Sequence, residues 1–248
     1  MPGVDILGQL GASEWIVTDG ARLQHAMQRA RFDLLGVASR HALCGDLQDG
    51  NAEVKAVVDQ NPAMRGWCVV NPTYPERSSE EMRRYLGSPK WLGAMLDPRK
   101  SGQRLNSATT REVLNAYRRY TKPILVHVPD EETLLDLEEI APDFNTIKFI
   151  AQGAGGDAWQ DCAITAKRFV NIFLEPFSGG SHRGKVELLV QLLGHHRILF
   201  GSSYPDHNPG AALGLLHDAK ISNAEKEAIL THNAAKLFGL TRRAAPEE

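Results

Sequence analysis

Eight short and almost uninterrupted apolar runs, separated by amphipathic helical stretches, constrain this chain more than any other feature of it. The runs lie at residues 4–7, 34–39, 65–70, 92–96, 124–128, 147–151, 171–175 and 198–201. A strand with one wet face alternates apolar and polar residues, whereas a strand covered on both faces does not, so these runs predict a parallel sheet buried on both sides. Between them, residues 21–30 carry Leu23, Met27 and Ala30 on one helical face, and residues 52–60 carry Val54, Val57 and Val58. Further helices are predicted over 79–86, 108–119, 131–140, 159–166, 183–193 and 211–219, with 223–230 and 233–238 closing the chain. Acidic first turns after Ser79 and Asp130 mark capped starts for two of them. Eight strands, each followed by a helix, predict a single (β/α)8 TIM barrel with extra C-terminal helices. An open, doubly wound sheet fits less well, because Leu7-Gly8-Gln9-Leu10-Gly11 is not a dinucleotide-binding loop. The 248 residues suit one barrel of about 250. The expected domain spans residues 1–240, and 241–248 form a loose tail.

Charge narrows the function classes. The 28 basic and 30 acidic residues are interspersed, and no Lys/Arg cluster suited to phosphates stands out, so nucleic acid is not an expected partner. No apolar run is long enough to span a bilayer, and the start lacks the pattern of a signal peptide. Cys44, Cys68 and Cys162 are odd in number and far apart, forming neither a disulfide framework nor a zinc motif. These features predict a cytoplasmic protein.

In such a barrel the strand C-termini converge on one mouth, which nominates site residues from topology alone. They are Gln9, Ser39, Arg40, His41, Asn71, Asp97, Arg99, Lys100, His127, Gln152, Glu175, Ser178, His182, Arg183, Ser202, Ser203, Asp206 and His207. His195 and His196 precede the last run and belong to the opposite face. His232 reads as an exposed helical residue, and Cys44, without a local base, as a passive thiol.

Several segments carry a resemblance. They are Val69-Val-Asn-Pro-Thr-Tyr-Pro, Pro123-Ile-Leu-Val-His-Val, Phe149-Ile-Ala-Gln-Gly-Ala-Gly-Gly, Ser181-His-Arg-Gly and Arg197-Ile-Leu-Phe-Gly-Ser-Ser-Tyr-Pro, followed by Ile221-Ser-Asn-Ala-Glu-Lys-Glu-Ala-Ile-Leu and Asn233-Ala-Ala-Lys-Leu-Phe-Gly-Leu. In this order and spacing the chain resembles the amidohydrolase-related ("amidohydrolase 2", ACMSD-like) family of metal-dependent decarboxylases and hydrolases of small carboxylated or aromatic substrates. The resemblance implies a divalent metal held by a His-x-His pair on strand one, a His on strand five, a His on strand six and an Asp on strand eight. Here the first strand reads Asp5-Ile6-Leu7-Gly8-Gln9, the strand-six position is Gln152, and the strand-eight position is Ser203. Only His127 stands where the family has a ligand. Neutral amides and hydroxyls are poor transition-metal donors, so the family metal site is expected to be lost and no cofactor is expected. At strand four, Met95-Leu96-Asp97-Pro98 replaces the family's Lys-x-His-Pro.

His127, Asp206 and His207 are the candidate catalytic residues, the last two as a carboxylate-oriented imidazole or as turn residues. Gln9, Asp97, Arg99, Gln152, His182, Arg183 and Ser203 are candidate substrate-binding residues. Gln9 and Gln152 are placed to meet across the mouth, and His182 with Arg183 to hold an anion at a helix start. Ligand loss beside an intact scaffold points first to a non-catalytic partner, regulatory or ligand-binding subunit, as a homo-oligomer or in complex with a catalytic paralogue. The alternative is a metal-independent hydrolase or decarboxylase/lyase acting on a small carboxylated or aromatic substrate.

Overall fold

The computed structural model describes residues 3–13 and 16–240; the tail expected at 241–248 lies outside them. The strands are β1 (Gly3–Ala12), β2 (Val17–Thr18), β3 (Phe32–Ser39), β4 (Met64–Val69), β5 (Trp91–Leu96), β6 (Ile124–His127), β7 (Phe149–Gln152) and β8 (Ile172–Glu175). They form one sheet in the order β2-β1-β3-β4-β5-β6-β7-β8, parallel except for the short β1–β2 pairing. Seven of the expected runs are therefore strands, with ends that coincide or shift by up to five residues.

The eighth run behaves differently. Residues 198–204 join the sheet through two isolated bridges, Leu174 with Ile198 and Gly8 with Tyr204. Leu199 N donates to Leu174 O (2.8 Å), Ile6 N to Phe200 O (3.0 Å) and Gln9 N to Tyr204 O (2.7 Å), so the barrel closes between β8 and β1. Regular strand fails here because Ser203 takes a left-handed backbone with φ +52°. That conformation costs an L-residue about 1–2 kcal/mol. Asp5 strengthens the seam from the side, accepting from Ser202 N (2.8 Å) and Ser202 Oγ (2.5 Å).

Eight principal helices follow the eight strand positions: Gly20–Ala30, Leu47–Gln60, Pro75–Tyr85, Ala108–Tyr117, Glu131–Ile140, Trp159–Arg168, Lys185–Leu193 and Pro209–Asp218. Asp130 caps its helix as expected, accepting from Thr133 N (2.8 Å). The cap expected at Ser79 is corrected. That helix starts a turn earlier, at Pro75, whose missing N–H costs nothing in the first turn. Two single-turn helices, Arg40–Leu43 and Pro98–Ser101, begin directly after β3 and β5. At the C-terminus, Asn223–Glu227 and Asn233–Phe238 flank a π-helical turn, Ala228–His232.

Two apolar layers hold these elements. Val4, Ile6, Leu34, Trp67, Leu92, Leu125, Ile150 and Leu199 belong to one cluster, and a larger one lies between sheet and helices. Burying each large side chain contributes about 1.5–3 kcal/mol. Trp67 Nε1 donates to Ile6 O (2.7 Å) inside the barrel. A Cβ at residue 36 would come within 2.1 Å of that carbonyl, so only Gly36 allows the approach. No helix among the described residues is long and apolar enough to cross a membrane.

Candidate active site

The strand C-termini surround a cavity of about 520 Å³. Its wall includes Gln9, Arg40, Cys44, Met95, Asp97, Lys100, His127, Gln152, Ser178, Ser203, Asp206 and His207.

The β5–β6 side carries a carboxylate–imidazole pair. Asp97 follows β5 and is the N-cap of Pro98–Ser101, one oxygen accepting from Lys100 N (3.1 Å). Its other oxygen lies 3.1 Å from His127 Nδ1 at the end of β6. The sequence builds this locally: an Asp before Pro is a ready helix cap, and the β5–β6 register sets Leu96 beside Val126. Asp97 is 7% exposed and the His127 side chain 29%. Burial drives the Asp97 carboxyl upward, but the hydrogen bond and charge of His127, with help from Lys100, outweigh it and hold it below the ordinary value. An ionised Asp97 accepts a hydrogen bond from the Nδ1–H of His127. Nε2 is then the imidazole atom left to exchange a proton with a ligand.

From Gln152, which is in register with His127, round to Arg40, the wall carries neutral and ion-paired groups. Gln9 Nε2 donates to Asp206 Oδ2 (3.1 Å), and Arg40 Nη2 pairs with Asp206 Oδ1. Gln152 Nε2 donates to Ser203 Oγ (3.0 Å). Among the described residues, Gln152 Oε1 and Arg40 Nε are buried without a hydrogen-bond partner.

Beneath the mouth lie two sealed carboxyls. Burial pushes Asp5 up to about 6, against the pull of the Ser202 bonds. Burial likewise pushes Glu175 up to about 7, although it accepts from Ser178 Oγ and from the N–H groups of Phe177, Ser178 and Gly153. Glu175 is fully covered and is not part of the cavity wall, contrary to the placement expected for it.

Several other expectations change. Asp206 and His207 do not form a dyad among the described residues: Asp206 bonds Arg40 and Gln9, and no bond joins it to His207. The imidazole is oriented instead by Asp97, a residue expected to bind substrate. Gln9 and Gln152 do not bond each other; each has another partner. Arg99 is outside the wall, tied to Asp130. His182 leans over Trp159, with ring centroids 6.1 Å apart, and lies 3.6 Å from Asp157. Neither His182 nor Arg183 is on the wall, which that segment reaches only with Ser178; both lie exposed before the start of Lys185–Leu193. Asn71 is spent on a local turn with Thr73 and Ser78. His195 and His196 sit in the turn before residue 198, as expected. Cys44, read as passive, lies on the cavity wall.

The metal implied by the resemblance does not fit these donors. Among the described residues no group of three or more His, Cys, Asp or Glu side chains is placed to hold an ion. One imidazole, two amides and a hydroxyl at the four mouth positions make a weak set, and the imidazole already serves Asp97.

A comparison with protein families matches residues 18–240 to the amidohydrolase model. No curated protein matches the sequence. Solved structures share the fold at low identity. A Staphylococcus aureus protein provisionally named an amidohydrolase is 15% identical, over 97% of this chain and 100% of its own, with a TM-score of 0.80. The 5-carboxyvanillate decarboxylase of Novosphingobium aromaticivorans, complexed with manganese and 4-hydroxy-3-methoxy-5-nitrobenzoic acid, is 12% identical over 96% of each chain, with a TM-score of 0.79. The dihydroxybenzoic acid decarboxylase of Polaromonas sp. JS666, with manganese and 2-nitroresorcinol, is 15% identical over 98% of each, with a TM-score of 0.75. With nine-tenths of its length matched and a closed eight-position barrel behind the match, the chain belongs to the amidohydrolase family.

Proposed function

We propose that the chain is a lyase of the decarboxylase type, acting without a bound metal on a small carboxylated substrate at the mouth of the barrel. The observation that carries this reading is the Asp97–His127 pair on the wall of a ligand-sized cavity. The decarboxylases among its structural relatives favour loss of carboxylate over hydrolysis.

In this scheme His127, protonated and steadied by Asp97, delivers its Nε2 proton to an aromatic or other unsaturated carbon bearing the carboxylate, whose π electrons form the new C–H bond. The C–C bond to the carboxylate then breaks, its electron pair restores the π bond, and CO2 leaves. The imidazole regains a proton from water. Asp97 holds the ring in place and stabilises its cationic form. Gln9, Gln152, Ser203, Asp206 and His207 line the space for the rest of the substrate.

The test is release of CO2 from a panel of small aromatic and aliphatic carboxylic acids by chelator-treated protein, with His127→Ala as control. Turnover that disappears in the variant is the expected result. A second reading, a ligand-binding or regulatory subunit paired with a catalytic paralogue, is favoured by the absence of a metal-binding donor set among the described residues. Failure of every acid to turn over between pH 5 and 8 would leave that reading in possession.

A further inference from the structure

The proposed chemistry needs positive charge at the mouth to hold an anion, and the family's source of it does not fit here. Two cations stand on the cavity wall, Lys100 and Arg40. Lys100 follows Asp97 in Pro98–Ser101, on the same side as His127. Arg40 opens the single-turn helix after β3, which lies three strands away from β6 in the sheet order. The two cations therefore face one space from different sides.

Arg40 is held firmly. Ser39 Oγ caps its helix by accepting from Ala42 N (3.2 Å), and the side chain is only 15% exposed. Asp206 takes Arg40 Nη2 on one oxygen and Gln9 Nε2 on the other. Gln9 stands where the family has a metal-binding histidine. The guanidinium is thus moored, through one shared carboxylate, to the place where the resemblance puts the metal.

It also has donors to spare. A guanidinium carries five N–H groups and never deprotonates in a protein. Among the described residues, Nε is buried without a partner and Nη1 makes no hydrogen bond. The Nη1–Nη2 edge is the forked shape that grips a carboxylate with two bonds. Asp206 is 44% exposed, so its single contact with the cation competes with water and can yield to a ligand.

We infer that Arg40 supplies the fixed positive charge of this site and binds a second acidic group of the substrate, remote from the carbon that His127 protonates. The substrate class is then a small dicarboxylate with its acidic groups at opposite ends, one near Lys100 and His127, the other on Arg40. This rests on the small-acid reading of the mouth, but its test reads binding and needs no turnover.

Terephthalate, benzoate and the neutral terephthalamide are titrated into the whole protein, with affinity read by calorimetry and the His127 ring followed by nuclear magnetic resonance. Terephthalate should bind at least about tenfold tighter than benzoate, as expected for an added charge-assisted fork, and terephthalamide weakest. Arg40→Gln should abolish the preference and Arg40→Lys restore part of it. Asp206→Asn, which removes the competing carboxylate, should tighten terephthalate; a merely structural Arg40–Asp206 pair would give a weaker or unchanged site. Thermal melting of each variant checks that it is folded, and if Arg40→Gln does not fold, the direction of the Asp206→Asn effect decides. Equal binding of terephthalate and benzoate by the unaltered protein, no binding of terephthalate at millimolar concentration, or an Arg40→Gln affinity within twofold would each overturn the inference. Arg40-dependent binding with no turnover of any acid would keep it and sink the decarboxylase reading.

Discussion

Two carboxylates at strand ends, Asp97 beside β6 and Glu175 at the seam between β8 and residues 198–204, are both almost wholly covered, yet they sit in opposite electrostatic states. Asp97 has an imidazole and the Lys100 amide against it and is held below its ordinary value. Glu175 has hydroxyl and backbone N–H donors only, too little to offset burial, and is pushed up to about 7. The difference lies in what each faces. A carboxylate paired with a group that opens onto a cavity keeps its charge and can assist proton transfer. One locked among backbone donors under the floor serves the fold.

The largest expected effect tests the charged side. His127→Ala should lower kcat by about 10²–10⁴-fold, the usual share of a general acid, measured by CO2 release. An unchanged rate would remove His127 from the chemistry. The next concerns the buried side. In the unfolded chain Glu175 loses its proton from about pH 4.5, while in the folded chain it keeps it to about 7. The unfolded form therefore binds fewer protons across that window, and stability falls as pH rises through it, by on the order of 3 kcal/mol, before levelling off. Glu175→Gln should reduce that slope in urea denaturation at pH 5 and 8 to the smaller share left by Asp5, whatever it does to absolute stability. A slope equal to that of the unaltered chain would show that Glu175 is ionised in the fold.

Smaller still is Asp97→Asn, which leaves His127 in place but removes its orienting charge. About a 10- to 100-fold loss in kcat is expected, with KM less affected. Arg99→Ala should change the rate less than about twofold, since its pairing with Asp130 is exposed and outside the wall. A loss as large as that of Asp97→Asn would place Arg99 back in the site. Last, dialysis against a chelator should leave both melting temperature and activity where they were. A drop in either would mean that the chain holds an ion through donors other than the family's.

Much of the barrel was legible because buried parallel strands leave a plain mark, a continuous apolar run between helices. Residues 198–201 misled in one respect. Their composition is that of a strand, but the left-handed turn at Ser203 is a property of the folded seam. Strand ends also placed Gln9, Asp97, His127, Gln152, Ser203, Asp206 and His207 on the cavity wall from topology. Their partners were not legible. That Asp97 and not Asp206 orients His127 depends on neighbouring strands, β5 and β6, whose residues lie 30 apart in sequence. Arg40 was one polar residue among many until its contact with Asp206, 166 positions away, set it apart. Asp5 is the plainest omission: an aspartate inside an apolar run, whose burial and bond to Ser202 mark it as the clasp of the seam.

That clasp has a consequence for how the chain is made. β1 is made before the barrel strands that flank it, and β3 covers one of its edges soon afterwards. On its other edge β2 pairs only Gly11 and Ala12, while Ile6 and Gln9 wait for Phe200 and Tyr204, and Asp5 waits for Ser202. Until residue 204 has been made, most of that edge of β1 and the Asp5 carboxyl stay open. An open strand edge invites pairing with a neighbouring chain. Nascent chains stalled before residue 198 should therefore stick to one another or be held by chaperones, and those that have passed residue 204 should not.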